Sequence, residues 1–239
     1  MDSRDNLLQE VIESLGLEID VRKYNQLQKY VQILLERVSV QRLVGDNTPY
    51  LLYHKHIYDS LYLLSLMQLP LFEILDLGTG AGLPGIPLKI CLPEHVFFLM
   101  DANRARINFL RRVMRELALE RLHFLPGRAE EWGQNPDFRE RFGVVVSRAV
   151  APAVVLAELA LPLCSVGGQV IFYKGPRGNE EMREASKAIS ICGGSIDSCK
   201  QYRLLTGEER CIYIVKKIKN TPPQYPRRVG RPAKQPLRD

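Results

Sequence analysis

The chain has 239 residues, of which 46% are hydrophobic and 25% charged, a composition typical of a soluble globular protein with one sizeable core. Its five cysteines form no C-x-x-C pair and none of its four histidines is arranged with them, which predicts a cytoplasmic protein with reduced thiols and no metal site. The net charge of +6 comes from the end of the chain. From Lys216 onward there are eight Lys or Arg and one acid, a net charge of +7, so the remaining residues have a net charge of −1. No signal peptide is predicted in the polar residues 1–6, and prolines and glycines interrupt the apolar run 149–173, which predicts a buried core and no membrane span.

The spacing of apolar residues predicts three helices followed by alternating strands and helices. The first helices are predicted over 5–15, 20–38 and 49–67. The predicted strands are 72–77, 96–100, 122–125, 143–147 and 169–173, with helices over 84–91, 103–118, 152–161 and 179–191. Two further strands, 196–204 and 210–217, are predicted to form an antiparallel hairpin at the edge of the sheet. This order is typical of an α/β fold with a doubly wound, mainly parallel sheet.

We expect three parts in the chain. Residues 1–68 are predicted to be a helical extension packed on the core, residues 69–218 the α/β domain, and residues 219–239 a basic tail. A basic tail favours a polyanionic partner, and nucleic acid before a membrane, because no amphipathic apolar face accompanies it. The alternative for such a tail is a disordered, solubilising end.

The most informative segment is the glycine-rich loop behind the first predicted strand. The apolar run of that strand ends in Asp76, glycines follow at 78, 80 and 82, and a helical pattern begins behind Pro84. In a doubly wound sheet, this junction is where a nucleotide-like ligand binds. The dinucleotide fingerprint would need glycine where Leu83 stands, and the Gly-Lys-Ser/Thr ending of a P-loop is absent. An acid followed by G-x-G-x-G resembles motif I of methyltransferases that use S-adenosylmethionine (SAM); the alternative is a turn that merely connects strand and helix.

A second acid, Asp101, ends the next predicted strand. It follows Gly78 by 23 residues, close to the spacing of about 20 residues expected for a carboxylate that binds ribose. The alternative is that Asp101 caps the helix that begins near Ala102. Both roles are compatible, and the glycine loop upstream favours ribose binding.

Further motifs resemble one family over nearly the whole chain. They are the loop ending 83–87 (Leu-Pro-Gly-Ile-Pro), 56–60 (His-Ile-Tyr-Asp-Ser), 128–130 (Arg-Ala-Glu), 147–149 (Ser-Arg-Ala), 174–175 (Lys-Gly) and the basic ending 225–237. In this order they resemble the glucose-inhibited division protein B family. Members of this family are bacterial enzymes that make 7-methylguanosine in 16S ribosomal RNA with SAM as cofactor.

The glycine loop, the spacing of Asp101 and the resemblance together predict a set of cofactor-binding residues. This set is Asp76, Gly78, Thr79, Gly80, Leu83, Asp101, Ala129, Glu130 and Arg148. The resemblance also implies that Arg148 and Lys174 lie beside the reacting guanine, where either can donate to O6 while leaving the N7 lone pair free. The alternatives are a solvated helix start for Glu130 and Glu131 and a surface ion pair for Arg148. Since N7 carries its own lone pair, we expect in-line transfer without a general base, a nucleophilic cysteine or a metal.

The resemblance further implies 16S rRNA of the small ribosomal subunit as partner. The predicted RNA contacts are Arg42, His56, Arg227, Arg228, Arg231 and Lys234. At 41–44 the chain has Gln-Arg-Leu-Val where members carry Tyr-Asn-Leu-Thr, so Arg42 stands in place of the family asparagine. Residues 230–232 lack the preceding arginine of a minor-groove hook, so RNA is favoured over DNA. Nothing in the sequence calls for more than a monomer.

The resemblance therefore implies a SAM-dependent 16S rRNA (guanine-N7) methyltransferase. One alternative is a SAM-dependent methyltransferase of small molecules, which would leave the basic tail without a purpose. Another is a non-catalytic RNA-binding or ribosome-assembly protein that retains the fold. The intact glycine loop with both strand-ending acids favours an enzyme, whereas the altered 41–44 motif favours the non-catalytic alternative.

Overall fold

The computed structural model describes residues 3–41, 48–68 and 72–238. Arg42 lies outside the described residues, and so does most of the altered motif at 41–44. The helices before the sheet are α1 (Ser3–Leu15), α2 (Val21–Gln41), α3 (Pro49–Leu51) and α4 (Tyr58–Leu66), with a π-helical turn (Leu52–Ile57) joining α3 to α4. The sequence pattern predicts a single helix over 49–67 and gives no sign of the π-helical turn. No helix within the described ranges is long and apolar enough to cross a bilayer.

Seven strands form one sheet in the order β3-β2-β1-β4-β5-β7-β6. Their bounds are β1 (Glu73–Leu77), β2 (Val96–Asp101), β3 (Leu122–Pro126), β4 (Phe142–Arg148), β5 (Cys164–Lys174), β6 (Gly194–Arg203) and β7 (Glu209–Lys217). β1 to β5 pair in parallel, β7 runs antiparallel to β5, and β6 pairs with β7 at the edge. The predicted fold class is confirmed, and the predicted terminal hairpin is present.

Helices cover both faces of the sheet. The remaining ones are α5 (Gly85–Cys91), α6 (Arg104–Glu116), α7 (Ala129–Gln134), α8 (Ala153–Ala160), α9 (Gly178–Ile191) and α10 (Arg231–Lys234). One hydrophobic cluster joins α1, α2, α4, α5 and α6 to alternate strand residues such as Ile74 and Val144. A second cluster joins α8 and α9 to residues that point the other way, such as Leu75 and Val145. The N-terminal helices therefore bury their apolar faces in the same layer as α5 and α6.

The tail is folded against the domain. We call residues 219–238 the C-terminal strap. The guanidinium of Arg139 donates to the main-chain carbonyls of Thr221, Pro222 and Tyr225, and Arg227 makes a bidentate pair with Glu158 of α8 at 2.8 and 2.6 Å. The alternative of a disordered tail is therefore wrong. Composition suggests disorder because the contacts that order this segment come from residues about 70 to 90 positions earlier in the chain.

Candidate functional site

A cleft of about 720 Å³ opens at the carboxyl ends of β1, β4 and β5. The chain turns from β1 to β2 on one side and places β4 on the other, so the cleft lies at the switch point of the sheet, where ligands bind in doubly wound folds. Its volume falls within the range of about 300–1000 Å³ typical of ligand pockets. The glycine loop forms its floor, and the π-helical turn contributes Lys55 and His56 to one wall.

The glycines of the loop serve different purposes. Gly78, Gly80 and Gly82 have φ of 72°, 60° and 103°, which L-residues rarely adopt. The nearest atom to a Cβ on Gly80 would be the Gly78 carbonyl oxygen at 4.0 Å, whereas a Cβ on Gly82 would lie 2.6 Å from Ile86 and 2.8 Å from Leu110. Gly80 therefore leaves room for a ligand, and Gly82 leaves room for the core.

Asp76 lies beneath the loop and does not line the cleft. Its side chain is 0% exposed, and Oδ2 accepts hydrogen bonds from Thr79 Oγ1 at 2.7 Å and from the Gly85 amide at 2.9 Å. Burial raises the pKa of Asp76 to about 6. Oδ1 has no hydrogen-bond partner among the described residues. The carboxylate thus fixes the shape of the loop and places a negative charge behind it, which suits a cationic ligand.

Asp101 ties the loop to the end of β2. Its Oδ2 accepts from the Gly80 amide at 3.0 Å and from Arg106 at 3.3 Å, while Oδ1 accepts from the Asn103 amide at 2.8 Å. The helix cap is Asn103, whose side chain accepts from the Ala105 amide. The alternative that Asp101 caps α6 is therefore wrong, and ribose binding stays a prediction.

Ala129 and Glu130 begin α7, which is not among the helices that the apolar spacing predicts. Both are buried, and neither lines the cleft. Glu130 Oε1 accepts from the Gly230 amide at 2.9 Å, so the strap reaches this carboxylate. Of the two glutamates at the start of α7, only Glu131 is exposed to solvent. Its carboxylate accepts from the Arg128 amide at 3.1 Å. Adenine recognition by Glu130 stays a prediction.

Arg148 ends β4 at the cleft and is held from two sides. Its Nη1 donates to Asp59 Oδ2 at 2.8 Å and to the His56 carbonyl at 3.3 Å. The other oxygen of Asp59 accepts from the hydroxyl of Tyr202, whose ring stacks on Tyr62 with centroids 3.7 Å apart. The side chains of this pair are only 11% and 8% exposed, so the surface ion pair considered as an alternative is wrong. The family motif draws attention to Asp59, but no pattern points to Tyr202.

Lys174 ends β5 and fixes the loop that follows β4. Its Nζ donates to the Ala151 carbonyl at 2.9 Å and to Glu181 at 2.8 Å. Val150 in that loop lies directly above the glycine loop, since a Cβ on Gly78 would approach Val150 Cγ2 to 2.3 Å. A ligand that rests on Gly78 must therefore contact Val150 or move it.

The predicted RNA residues divide into three groups. His56 is half-buried in the cleft wall. Arg228, Arg231 and Lys234 are exposed on the strap. The guanidinium of Arg227 is instead paired with Glu158, and this pair holds the strap on α8. Among the described residues, no group of His, Cys, Asp or Glu is arranged to hold a metal ion.

Solved structures share this architecture at low sequence identity. TrmN from Thermus thermophilus superposes with a TM-score of 0.54 and 19% identity, covering 68% of this chain and 49% of that one. Precorrin-6y C5,15-methyltransferase from Geobacter metallireducens gives a TM-score of 0.53 and 12% identity, covering 74% and 91%. The fold is that of the class I SAM-dependent methyltransferases, and the buried carboxylate behind the glycine loop suits SAM, which is cationic at its sulfonium.

Sequence comparison identifies the family. The family model described as GidB, rRNA small subunit methyltransferase G, matches residues 23–208. The ribosomal RNA small subunit methyltransferase G of Lachnoclostridium phytofermentans is 41% identical over 228 residues, covering 95% of this chain and 94% of its own. That of Alkaliphilus oremlandii is 41% identical over 240 residues and covers both chains fully. The protein belongs to the rRNA small subunit methyltransferase G family.

Proposed function

We propose that the protein transfers a methyl group from SAM to N7 of a guanine in 16S rRNA of the small ribosomal subunit, in the cytoplasm. The observation that best supports RNA as the substrate is the positive charge of the cleft. Five basic side chains line it, and four of them pair with carboxylates: Lys55 with Glu208, Arg106 with Asp101, Arg148 with Asp59 and Lys174 with Glu181. The fifth, Arg210, forms no ion pair within the described residues. A cationic sulfonium gives no reason for this remaining positive charge, whereas a phosphodiester chain does.

The proposed chemistry needs alignment more than proton transfer. Bound SAM supplies an electrophilic methyl group at the sulfonium. The N7 lone pair of guanine attacks it in line without prior deprotonation, so the protein has to hold the base in place. Arg148 is suited to donate to guanine O6, because Asp59 and the His56 carbonyl fix its guanidinium at the edge of the cleft. Donation to O6 alone leaves N7 available.

The contacts of Lys174 support a positioning role and not direct donation to the base. Its ammonium is buried and shared between Ala151 and Glu181, whose carboxylate also accepts from the Ala153 amide at 3.2 Å. We propose that Lys174 positions the loop of residues 149–152 over the cofactor. The glycine loop and Leu83 would hold the methionine part of SAM, and Asp101 its ribose.

RNA outside the cleft would run along the basic side chains of the strap. We propose Arg228, Arg231 and Lys234 as phosphate contacts, because they are exposed and lie on an ordered segment. Arg227 is left out of this set, since moving its guanidinium to RNA would strand the buried carboxylate of Glu158.

The test is transfer of labelled methyl from SAM to small subunits that lack N7-methylguanosine, followed by mapping of the product. We expect label at a single guanine N7, and none with Arg148→Ala at equal SAM binding. Absence of transfer to any ribosomal form by a protein that binds SAM would overturn the proposal. In that case, label on small molecules would favour the small-molecule enzyme, and RNA binding alone would favour the non-catalytic protein.

A further inference from the structure

A second pocket adjoins the cleft. It has a volume of about 320 Å³ and lies between the residues that follow β5 and the hairpin of β6 and β7. Gly175 and Arg210 line both spaces, so the pocket and the cleft meet there. A Cβ on Gly175 would meet no atom within 4 Å, and a ligand can therefore approach the main chain at this junction.

The charged groups around the junction leave one cation without a carboxylate. Glu208 pairs with Lys55 at 3.4 Å, and Glu209 pairs with Arg203 at 3.3 Å. Arg210 donates to the main-chain carbonyl of Glu209 at 2.9 Å, but no ion pair formed within the described part of the chain includes it. Its guanidinium thus lies where the two spaces meet, with no acid to neutralise it. A guanidinium in this state is suited to a phosphate, which it can bind through two N–H groups.

The pocket itself offers amide groups rather than an apolar surface. Asn179 and Gln201 line it, and both are exposed. Asn179 Oδ1 accepts from the hydroxyl of Tyr213, so its amide nitrogen is the atom with donors to offer. Amides and a guanidinium are the groups that recognise the base edges and phosphates of single-stranded RNA. The dimensions fit the lower end of the range for small-ligand pockets.

We propose that this pocket binds the nucleotide next to the target guanosine in the RNA. Arg210 binds the phosphate that joins the two nucleotides, and the amides of Asn179 and Gln201 contact the edge of the neighbouring base. The inference rests on the proposed function, since it extends the same substrate by one nucleotide. Its basis is the shared boundary at Gly175 and Arg210, which gives one continuous path from Arg148 in the cleft to the amides in the pocket.

The experiment compares Arg210→Ala with Lys216→Ala. Both residues are cations on β7, but Lys216 lies at the far end of the strand and pairs with Asp197 at 2.6 Å. Binding to small subunits that lack the modification is measured over a series of salt concentrations, and SAM binding is measured separately. We expect Arg210→Ala to weaken RNA binding about tenfold and to reduce the salt slope by about one. SAM affinity should stay within about twofold, Lys216→Ala should match the wild type, and Arg210→Lys should recover the salt slope but only part of the affinity, because an ammonium cannot bind a phosphate through the two N–H groups of a guanidinium.

Equal RNA affinity and salt slope in the Arg210→Ala and Lys216→Ala variants would overturn the inference. For the base contact, subunits altered at the nucleotides on either side of the target are compared as substrates. The wild type should discriminate among them at one side, and Asn179→Ala with Gln201→Ala should reduce that preference; an unchanged preference would count against the pocket. If the wild type itself modifies no RNA, the proposed function fails, and this result is distinct from failure of the subsite.

Discussion

Arg148 and Asp59 form an ion pair of 2.8 Å in which the two side chains are only 11% and 8% exposed. The pair joins the end of a central strand to the helix that precedes the sheet. Tyr202, from the edge strand β6, donates to the same carboxylate. Three distant parts of the chain thus fix one guanidinium at the edge of the cleft, which makes the N-terminal helices part of the candidate site.

Asp59→Asn is expected to lower kcat about 100-fold, because a displaced guanidinium no longer aligns the base. SAM affinity should change by less than a few-fold, since the carboxylate of Asp59 accepts from Arg148 and Tyr202 and not from an amide of the glycine loop. Single-turnover methyl transfer to unmodified small subunits, with SAM binding and a thermal melt on the same preparations, measures this. Tyr202→Phe is the matched control: it keeps the ring on Tyr62, loses one hydrogen bond and should cost much less. Wild-type turnover by Asp59→Asn would refute a positioning part for the pair.

Gly80→Ala is expected mainly to lose SAM affinity, and Gly82→Ala is expected mainly to lose stability. Each carries backbone strain of about 1–2 kcal/mol at positive φ, but Gly82→Ala also clashes with Ile86 and Leu110, which adds about 1–3 kcal/mol. Gly80→Ala should keep most of its stability and lose SAM affinity, because its methyl group enters the cleft. Urea unfolding and SAM titration separate the two effects. Equal destabilisation of both variants, with unchanged SAM binding in Gly80→Ala, would contradict this interpretation of the loop.

The strand ends can be placed from the sequence because an acid or arginine that closes an apolar run is a local signal. Asp76, Asp101 and Arg148 are located in this way. The partner of Arg148 cannot be identified from the sequence pattern, since Asp59 lies 89 positions away and nothing local links the two. The family motif marks Asp59 without saying what it touches.

The elements missed by the sequence patterns depend on tertiary contacts. α7 has only six residues, too few for an apolar period to appear. The strap is rich in proline and basic residues, which suggests disorder, yet its main chain is held by Arg139 and its Arg227 by Glu158. Composition cannot reveal a buried carboxylate on another helix that needs a cation.

Asp76 is expected to make stability fall as pH rises from about 4 to 6. Burial raises its pKa to about 6 in the folded protein, against about 3.9 in an unfolded chain, so the folded state binds the proton more tightly. The contribution is fully present below pH 4 and is lost by pH 7, where ionisation costs about 3 kcal/mol. Urea unfolding of the wild type and Asp76→Asn at intervals from pH 4 to pH 7 should show their difference changing by this amount. Parallel profiles for the two proteins would show that Asp76 is not the group responsible.

Arg227→Ala is expected to destabilise the protein by about 3–5 kcal/mol, because it leaves the fully buried carboxylate of Glu158 unpaired. Replacing both partners together, as Glu158→Leu with Arg227→Met, should recover most of the loss, since a buried pair exchanged for apolar groups is often neutral. Denaturant unfolding of the two variants measures both values. A double variant no more stable than Arg227→Ala would show that the loss does not come from the unpaired carboxylate of Glu158.

The exposed cations of the strap are expected to contribute to RNA affinity and not to the stability of the fold. A triple variant with Arg228, Arg231 and Lys234 all changed to alanine is expected to melt like the wild type and to bind SAM equally well. Its affinity for unmodified small subunits should fall, and the slope of log affinity against log salt should shrink by about two to three, because each neutralised phosphate contributes roughly 0.7–0.9 to that slope. Deleting residues 219–239 cannot make this distinction, because it also removes Arg227 from Glu158 and unfolding would mimic weaker binding. An unchanged salt slope in the triple variant, at wild-type stability, would confine RNA binding to the cleft and its adjoining pocket.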